Sequence, residues 1–272
     1  MKQSALFFDI DGTLLSERTQ KIPQSAVEAL RQARANGHLL FINTGRTYCS
    51  LPRELENYAV QADGGEGLFD GFLCGCGSYL TYHGAILLES HLEHKRGREI
   101  IDKMYECRLD GALEGTDGMY FSKKKSRFLK LELTRRYFAG KGIGVEKFIE
   151  DEDVIYDKLY VYADRKSDTQ TFFDFVKKDM EIIKRAAHEY EIAQKAYSKA
   201  TACEFIRQHF GMEMDQIYVF GDSNNDLSMF EYAVHTVAMG KHSKELEPYT
   251  EYVTEKVEKD GIAVALKHYQ LI

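Results

Sequence analysis

The chain reads Ala5-Leu6-Phe7-Phe8-Asp9-Ile10-Asp11-Gly12-Thr13-Leu14-Leu15 close behind its first methionine. Residues 5–8 form a short apolar run bounded by polar residues, the pattern of a strand buried on both faces in a parallel sheet. Two carboxylates follow at alternate positions, with Gly-Thr directly behind them. Residues two apart on an extended chain share a face, so Asp9 and Asp11 can point into one crevice past the strand's end. Open α/β sheets place their ligands there. Two anions in one crevice need a reason, which a divalent cation, a nucleophile or a general acid/base would each supply.

Downstream residues repeat this design. From Pro23 to Asn36 the apolar residues fall at helical spacing, with proline suited to the first turn and Gly37 to the position past the end. His38–Asn43 is a second short apolar run, so the chain opens strand, helix, strand, the βαβ unit of a parallel sheet. That run ends in Thr44-Gly45-Arg46. A hydroxyl donor, a residue permitting close backbone approach and a guanidinium suit an oxyanion, although Thr44 could instead cap a helix starting near Tyr48. Further on, Ser198 is a credible helix N-cap, which sets Lys199 in the first turn. A lysine beside the positive end of a helix dipole is unfavourable unless an anion is bound nearby, whereas its competitor Lys195 lies before the cap. Gln216–Phe220 reads as another buried strand, ending in Gly221-Asp222-Ser223-Asn224-Asn225-Asp226. An Asx-rich turn capping a helix at Leu227 accounts for one of these groups but not the set.

Composition bounds the function class. A chain of 272 residues can bury a sizeable core in one large α/β domain or two modest ones. Apolar and charged fractions of 44% and 29% are those of an ordinary globular protein. A formal charge of −7 argues against nucleic acid or an anionic membrane as partner. Five cysteines do not read as a disulfide framework, and Cys74 and Cys76, without a second pair, read as buried structural residues. No secretory segment precedes Asp9 and no apolar run approaches the roughly 18 residues of a membrane span, so a cytoplasmic location is expected.

Between about His83 and Tyr190 the texture changes, becoming more charged and richer in tyrosine and phenylalanine. A helical stretch at 97–109 and glycine-rich strands at 111–121 precede a basic run, Ser122–Arg127, with an aromatic tail. A strand at 158–163, a helix at about 168–179 and two further strands to Ile192 follow. The expected organisation is a core made of residues 1–82 and 191–272, with an inserted α+β module at 83–190. The basic run reads either as a solvated face or as a cleft-facing patch that draws in an anionic substrate. Tyr120, Phe121, Phe128 and Tyr160 are aromatics of this module, a type more often found in a core than in a binding pocket.

Gathered together, the strand ends supply Asp9, Asp11, Thr44, Gly45, Lys199, Asp222 and Asp226. Crowded carboxylates require a cation, and carboxylate oxygens suit Mg²⁺; lysine, hydroxyl and backbone donors suit a phosphoryl group. With no histidine in these motifs, carboxylates must carry nucleophilic and proton-transfer duties, as in metal-assisted phosphoryl transfer. Phosphate-monoester hydrolysis needs accelerations of up to about 10²¹, so several effects must act together.

The Asp-x-Asp-Gly-Thr signature resembles that of the haloacid dehalogenase (HAD) superfamily. With Gly221-Asp222-Ser223, Asn225-Asp226, Met229, Val237-Ala238-Met239-Gly240 and Asp260-Gly261, the chain is similar to the Cof-type (class IIB) phosphatases of that superfamily. The resemblance implies an α/β fold, a Rossmann-like parallel-sheet core with an inserted α+β cap domain of the C2B type. It implies Asp9 as nucleophile and Asp11 as general acid/base. Thr44, Gly45 and Asn225 would hold phosphate, and Arg46 would reach phosphate or the leaving group. Lys199 would neutralise charge on Asp9 and the phosphoryl oxygens. Mg²⁺ would be held by Asp9, by the backbone carbonyl of Asp11 and by Asp222, with Asp226 supporting from close by. The implied activity is Mg²⁺-dependent hydrolysis of small phosphate esters, sugar phosphates foremost, with pyridoxal phosphate or a flavin nucleotide also compatible. A phosphomutase of the phosphomannomutase type, using Arg127, Arg135 and Arg136 of the cap, and a non-catalytic ligand-binding protein are the rival readings. Two departures stand out: Cys76-Gly77 replaces the usual Asn-Gly, and Lys241-His242 replaces the usual Asn-Ala.

Overall fold

Strand β1 (Ala5–Phe8) is buried along its whole length and is flanked on both sides by parallel strands. The computed structural model describes residues 2–60 and 67–272. Helix α1 (Gln24–Ala35) begins after Pro23 and buries Ala26, Val27, Ala29, Leu30 and Ala33 on one face. It stops at Asn36, and Gly37 takes a φ of +91°, which a side chain would resist. Strand β2 (Leu39–Asn43) pairs with β1 in register Phe7↔Phe41, and the two rings stack with centroids 5.4 Å apart. A short helix α2 (Arg53–Glu56) leads towards β3 (Gly71–Cys74). Strands β4 (Tyr79–Tyr82) and β5 (Ala85–Glu89) follow, joined at His83-Gly84 by a turn in which both residues have positive φ, as a two-residue hairpin requires.

The next elements form a second compact unit, residues 46–51 and 89–197; residues 1–45, 52–88 and 198–272 form the first. The first unit thus keeps β5 through Leu88 rather than ending at 82. The second comprises α3 (His94–Glu106), β6 (Asp110–Glu114), β7 (Met119–Tyr120), α4 (Leu129–Ala139), β8 (Lys158–Tyr162), α5 (Thr169–Val176), β9 (Met180–Ala186) and β10 (Glu189–Gln194). Its sheet is antiparallel in the order β7-β6-β8-β10-β9. Ile100, Ile101 and Met104 of α3 and Phe172 and Val176 of α5 pack on Leu113, Leu159, Val161 and Ile192. A separate cluster joins Leu131 of α4 to Ala112, Met119, Phe121 and Tyr162. Tyr120 and Phe121 are core residues, and Phe128 and Tyr160 pack partly buried against the α4 cluster. Helix α4 has no counterpart in the sequence reading. Leu131 is its one buried residue, so its apolar positions carry no clear 3.6-residue stripe. Strand β10 pairs with β9 as far as Gln194↔Met180, beyond the point near Glu191 where the core pattern was expected to resume.

The first unit then continues with α6 (Lys199–His209), β11 (Ile217–Gly221), α7 (Leu227–Tyr232), β12 (His235–Ala238), β13 (Tyr252–Val253) and α8 (Gly261–His268). Its sheet runs β13-β12-β11-β1-β2-β3-β4-β5, parallel from β13 to β3, with β4 antiparallel to β3. The parallel sheet of the α/β class is therefore present, with β1 at its middle. Phe8 stacks on Phe220 of β11 at 4.5 Å, which fixes the ends of these two strands side by side. Among the described residues no helix is long and apolar enough to cross a membrane.

Helix α6 starts with a capping box: the Ser198 side chain accepts from the Thr201 N–H at 3.2 Å, and Thr201 Oγ1 accepts from the Ser198 N–H at 2.9 Å. Ser198→Ala is expected to destabilise the first unit by about 1 kcal/mol. Ser198→Asp should hold close to wild type, because aspartate caps equally well. Urea denaturation of the three proteins followed by circular dichroism checks this; equal midpoints for all three would show that the cap contributes nothing.

Candidate active site

Three strand ends and one helix start converge at the carboxyl edge of the first unit's sheet. Asp9 follows β1 directly, its N–H donating to the Phe220 carbonyl of the neighbouring strand at 3.0 Å. Its side chain is buried beside Lys199, the first residue of α6. Lys199 Nζ lies 2.5 Å from Asp9 Oδ1 and 2.5 Å from Asp226 Oδ1. The capping box sets where α6 begins, and the Asn43 side-chain amide, at the end of β2, donates to the Lys199 carbonyl at 2.9 Å. Lys199 is accordingly 1% exposed, a burial lysine accepts only when paired.

Asp226 is fully buried and has both oxygens engaged. Oδ1 takes the lysine, while Oδ2 accepts from the backbone N–H groups of Asp222 at 2.9 Å and Ser223 at 3.0 Å. It therefore holds the loop after β11 in shape as well as balancing Lys199. Gly221 permits this fold-back, since a Cβ there would come 2.6 Å from the Asp226 carboxyl carbon. Asp222 turns towards the first loop, where Gly12 sits at φ +86°. A Cβ on Gly12 would fall 2.4 Å from Asp222 Oδ2, so the glycine of Asp-x-Asp-Gly-Thr makes room for the other loop's carboxylate. Thr13 Oγ1, fully buried, donates to Asp222 Oδ1 at 3.1 Å.

Asp9, Asp222 and Asp226 each bring a carboxylate oxygen within 4.8 Å of the others. Asp11, by contrast, is exposed at the loop's outer edge, bridged to Leu15. Thr44 is buried, donating its N–H to the Leu73 carbonyl at 2.8 Å and accepting from the Cys76 N–H at 3.1 Å. A Cβ on Gly45 would lie 3.7 Å from the Asn225 side-chain nitrogen and 3.4 Å from Cys76 Sγ, so the Thr44-Gly45 turn adjoins Asn225. Arg46 belongs to the second unit, where its Nη1 donates to the Ser50 carbonyl at 3.1 Å. Thr13, Asn43 and Ser223 form part of this scaffold but had no role in the sequence reading. Thr13 and Ser223 had a signal, each lying inside a strand-end motif, whereas Asn43 had none beyond ending a strand.

The electrostatics follow from burial. Desolvation pushes the Asp9 carboxyl up to about 7; Lys199 opposes this, and Asp226 and Asp11 add to it. Burial, with the charges of Asp9 and Asp226, pushes Asp222 up to about 8. Burial alone would lower Lys199, but Asp226 and Asp9 override it and hold the ammonium above its ordinary value. One ammonium thus faces three carboxylates, an imbalance that a divalent cation corrects. An all-oxygen donor set fits Mg²⁺ rather than a thiolate- or imidazole-seeking metal.

The fold and this strand-end set define an α/β protein with an acidic site, balanced by one lysine, at the carboxyl edge of its parallel sheet. The chain belongs to the haloacid dehalogenase-like hydrolase family, whose model matches residues 6–266. Relatives and solved structures are similar to it across nearly the whole chain. A Bacillus subtilis protein, 5-amino-6-(5-phospho-D-ribitylamino)uracil phosphatase YcsE, is 24% identical over 268 residues, covering 97% of this chain and 94% of its own. A Streptococcus pyogenes serotype M6 protein, whose name pairs phosphatase with peptidyl-prolyl cis-trans isomerase, is 25% identical over all of this chain. This chain spans 55% of that relative's length. Among solved structures, the class IIB sugar phosphatase BT4131 superimposes with a TM-score of 0.79 at 24% identity, covering 99% of this chain and 100% of its own.

Because the folded state holds the Asp9 and Asp222 protons more tightly than the unfolded chain, metal-free protein is expected to lose stability as pH rises. The loss should run from the ordinary carboxylate range near ~4 through about 8. Mg²⁺ should suppress it and should bind more tightly above pH 8 than at pH 6, with proton release. Calorimetric melts at pH 5, 7 and 9, with and without Mg²⁺, decide this; a melting temperature that Mg²⁺ leaves unmoved at every pH would contradict the cation site. Thr13→Val, which removes the donor to Asp222, should weaken Mg²⁺ binding on the order of 10-fold in isothermal titration.

Proposed function

We propose that this protein is a Mg²⁺-dependent phosphatase of small phosphorylated metabolites, working through an aspartyl-phosphate on Asp9. The observation that carries the reading is the buried lysine bridging Asp9 and Asp226 with Asp222 alongside. Asp9 is the one carboxylate of the cluster that follows the central strand directly, with Oδ1 on Lys199. Its carboxylate would attack phosphorus in line, as the leaving alkoxide takes a proton from Asp11. Asp11 then would remove a proton from water, which attacks the same phosphorus and returns Asp9 as a carboxylate. The exposure of Asp11 supports a role that requires contact with solvent and leaving group. Lys199 would offset negative charge on Asp9 and the phosphoryl oxygens. Thr44, Gly45 and Asn225 would bind those oxygens, in keeping with the closeness of the Gly45 turn to the Asn225 amide. Arg46 would meet phosphate or the leaving group.

Asp9, Asp222 and the Asp11 carbonyl would hold Mg²⁺, and Asp226, with both oxygens engaged, would brace that set from behind. When bound, the cation supplies Lewis-acid neutralisation of the phosphoryl charge. The inserted segment 83–190 would act as a cap that selects the leaving group, and sugar phosphates are the foremost substrate class. The similarity to BT4131, a sugar phosphatase, and to YcsE, a 5-amino-6-(5-phospho-D-ribitylamino)uracil phosphatase, favours such polyhydroxylated esters. A cytoplasmic setting and free small-molecule substrates, rather than nucleic acid or membrane, accord with the net charge of −7. A phosphomutase would commit cap arginines to a second phosphate. Of Arg127, Arg135 and Arg136, the first is instead engaged by the Arg108 carbonyl, Ser167 and Asp164, which removes one of the three from that role.

The test is phosphate release from a panel of metabolite phosphoesters, with Mg²⁺ or with EDTA. Wild type should turn over at least one polyol or sugar phosphate only with Mg²⁺. Asp9→Asn and Asp11→Asn should each lower kcat by about 10³-fold or more, since each removes a group on which both half-reactions depend. Turnover that persists in EDTA and in Asp9→Asn would overturn the mechanism.

A further inference from the structure

A cavity of about 650 Å³ opens in the second unit, between α3, the start of β6 and the basic run after β7. Five cationic side chains line it: Arg98, Arg108, Lys124, Lys125 and Arg127. Its acidic lining residues are fewer, and two of them are engaged with neighbouring donors. Glu150 accepts from Ser122 Oγ and the Lys123 N–H, and Asp110 accepts from the Gly111 N–H. The positive excess is local, in a chain that carries −7 overall.

The cations divide into two groups. Arg98 and Arg127 build the wall: Arg98 donates to the Ile149 carbonyl at 2.6 Å, and Arg127 to the Arg108 carbonyl at 2.6 Å. Arg108, Lys124 and Lys125 are exposed, and among the described residues their side chains have no hydrogen-bond or ion-pair partner. Arg108 has φ +57°, in the left-handed region. Two donors pin its carbonyl, Arg127 and Ser167 Oγ, the latter at 2.7 Å. This conformation closes α3, with the Arg108 N–H on the Tyr105 carbonyl at 3.0 Å and the Leu109 N–H on the Met104 carbonyl at 2.9 Å. Beneath the cations the floor is apolar, made by Ile101, Leu109 and Ile149, with the Tyr105 ring exposed at its edge. Unpaired cations over an apolar floor match a ligand with an anionic group and a flat apolar body.

We propose that this cavity is a binding site for a nucleoside phosphate, with phosphates on Arg108, Lys124 and Lys125 and the base over the apolar floor against Tyr105. Every lining residue lies within the second unit, and none belongs to the carboxylate cluster. The site therefore stands whether or not the hydrolytic reading does.

The test is equilibrium titration of the full chain with a fluorescent N-methylanthraniloyl-ADP in EDTA, with inorganic phosphate and unlabelled ADP as competitors. Saturable binding displaced by ADP, and far less well by phosphate, is expected. Lys124→Glu with Lys125→Glu should weaken it at least ten-fold. Tyr105→Ala should weaken it several-fold through loss of the ring. The control pair Lys177→Glu with Lys178→Glu, on the same unit but outside the cavity, should bind as wild type does. Circular dichroism melts of each variant establish that it is folded. An equal loss in the control pair would reduce the effect to general charge and overturn the site. Absence of saturable binding to folded wild type at millimolar ADP would overturn it as well. Displacement by phosphate as effective as by ADP would show an anion patch with no nucleoside component, again against the proposal.

Discussion

A single ammonium group, wholly removed from water, holds the core site together. Lys199 is stable there only because Asp9 and Asp226 both face it. Three chain segments far apart in sequence are thereby made to meet at one point: the exit of β1, the start of α6 and the loop after β11. Loss of one partner would leave an uncompensated buried charge, which is far costlier than loss of the pair as a whole. Asp226 extends the constraint by taking two backbone N–H groups on its second oxygen, so the loop that carries Asp222 depends on the same lysine indirectly.

Space matters to this arrangement as much as charge. Gly12 and Gly221 are the positions at which two carboxylates press against a neighbouring backbone, and at each the missing Cβ is what allows the approach. Burial, with the neighbouring carboxylates adding to it, raises the proton affinity of Asp9 and Asp222, which makes a cation the natural complement of the site.

Much of this is legible in the amino-acid sequence. Short all-apolar runs mark β1, β2 and β11 because strands buried on both faces leave no alternation to confuse the reading. Pro23 and Gly37 bracket α1 for steric reasons that act locally, and Ser198 caps α6 as its residue type suggests. The residues brought together at the strand ends, Asp9, Lys199, Asp222 and Asp226, were each visible through strand-end position or through an otherwise unfavourable place in a helix. Tertiary facts were not visible. That Asp226 braces a loop with its second oxygen, or that Thr13 orients Asp222, depends on contacts more than two hundred residues apart in the latter case. Helix α4 was missed because one buried residue in eleven gives no stripe to read, and Arg46 sits in the second unit although it directly follows Gly45 in sequence.

The second unit is made of two separate stretches, and this bears on how such a protein can be recombined. Residues 46–51 belong to it through contacts such as the Cys49 N–H on the Thr116 carbonyl, although most of the unit lies between 89 and 197. A chimera spliced only at 88/89 and 197/198 would import a foreign module while leaving behind six residues shaped for the old one. Clean exchange takes four junctions, one of them directly behind Gly45. Wholesale module shuffling is thus disfavoured by the way the chain is threaded. Diversification by point substitution inside the unit meets no such barrier.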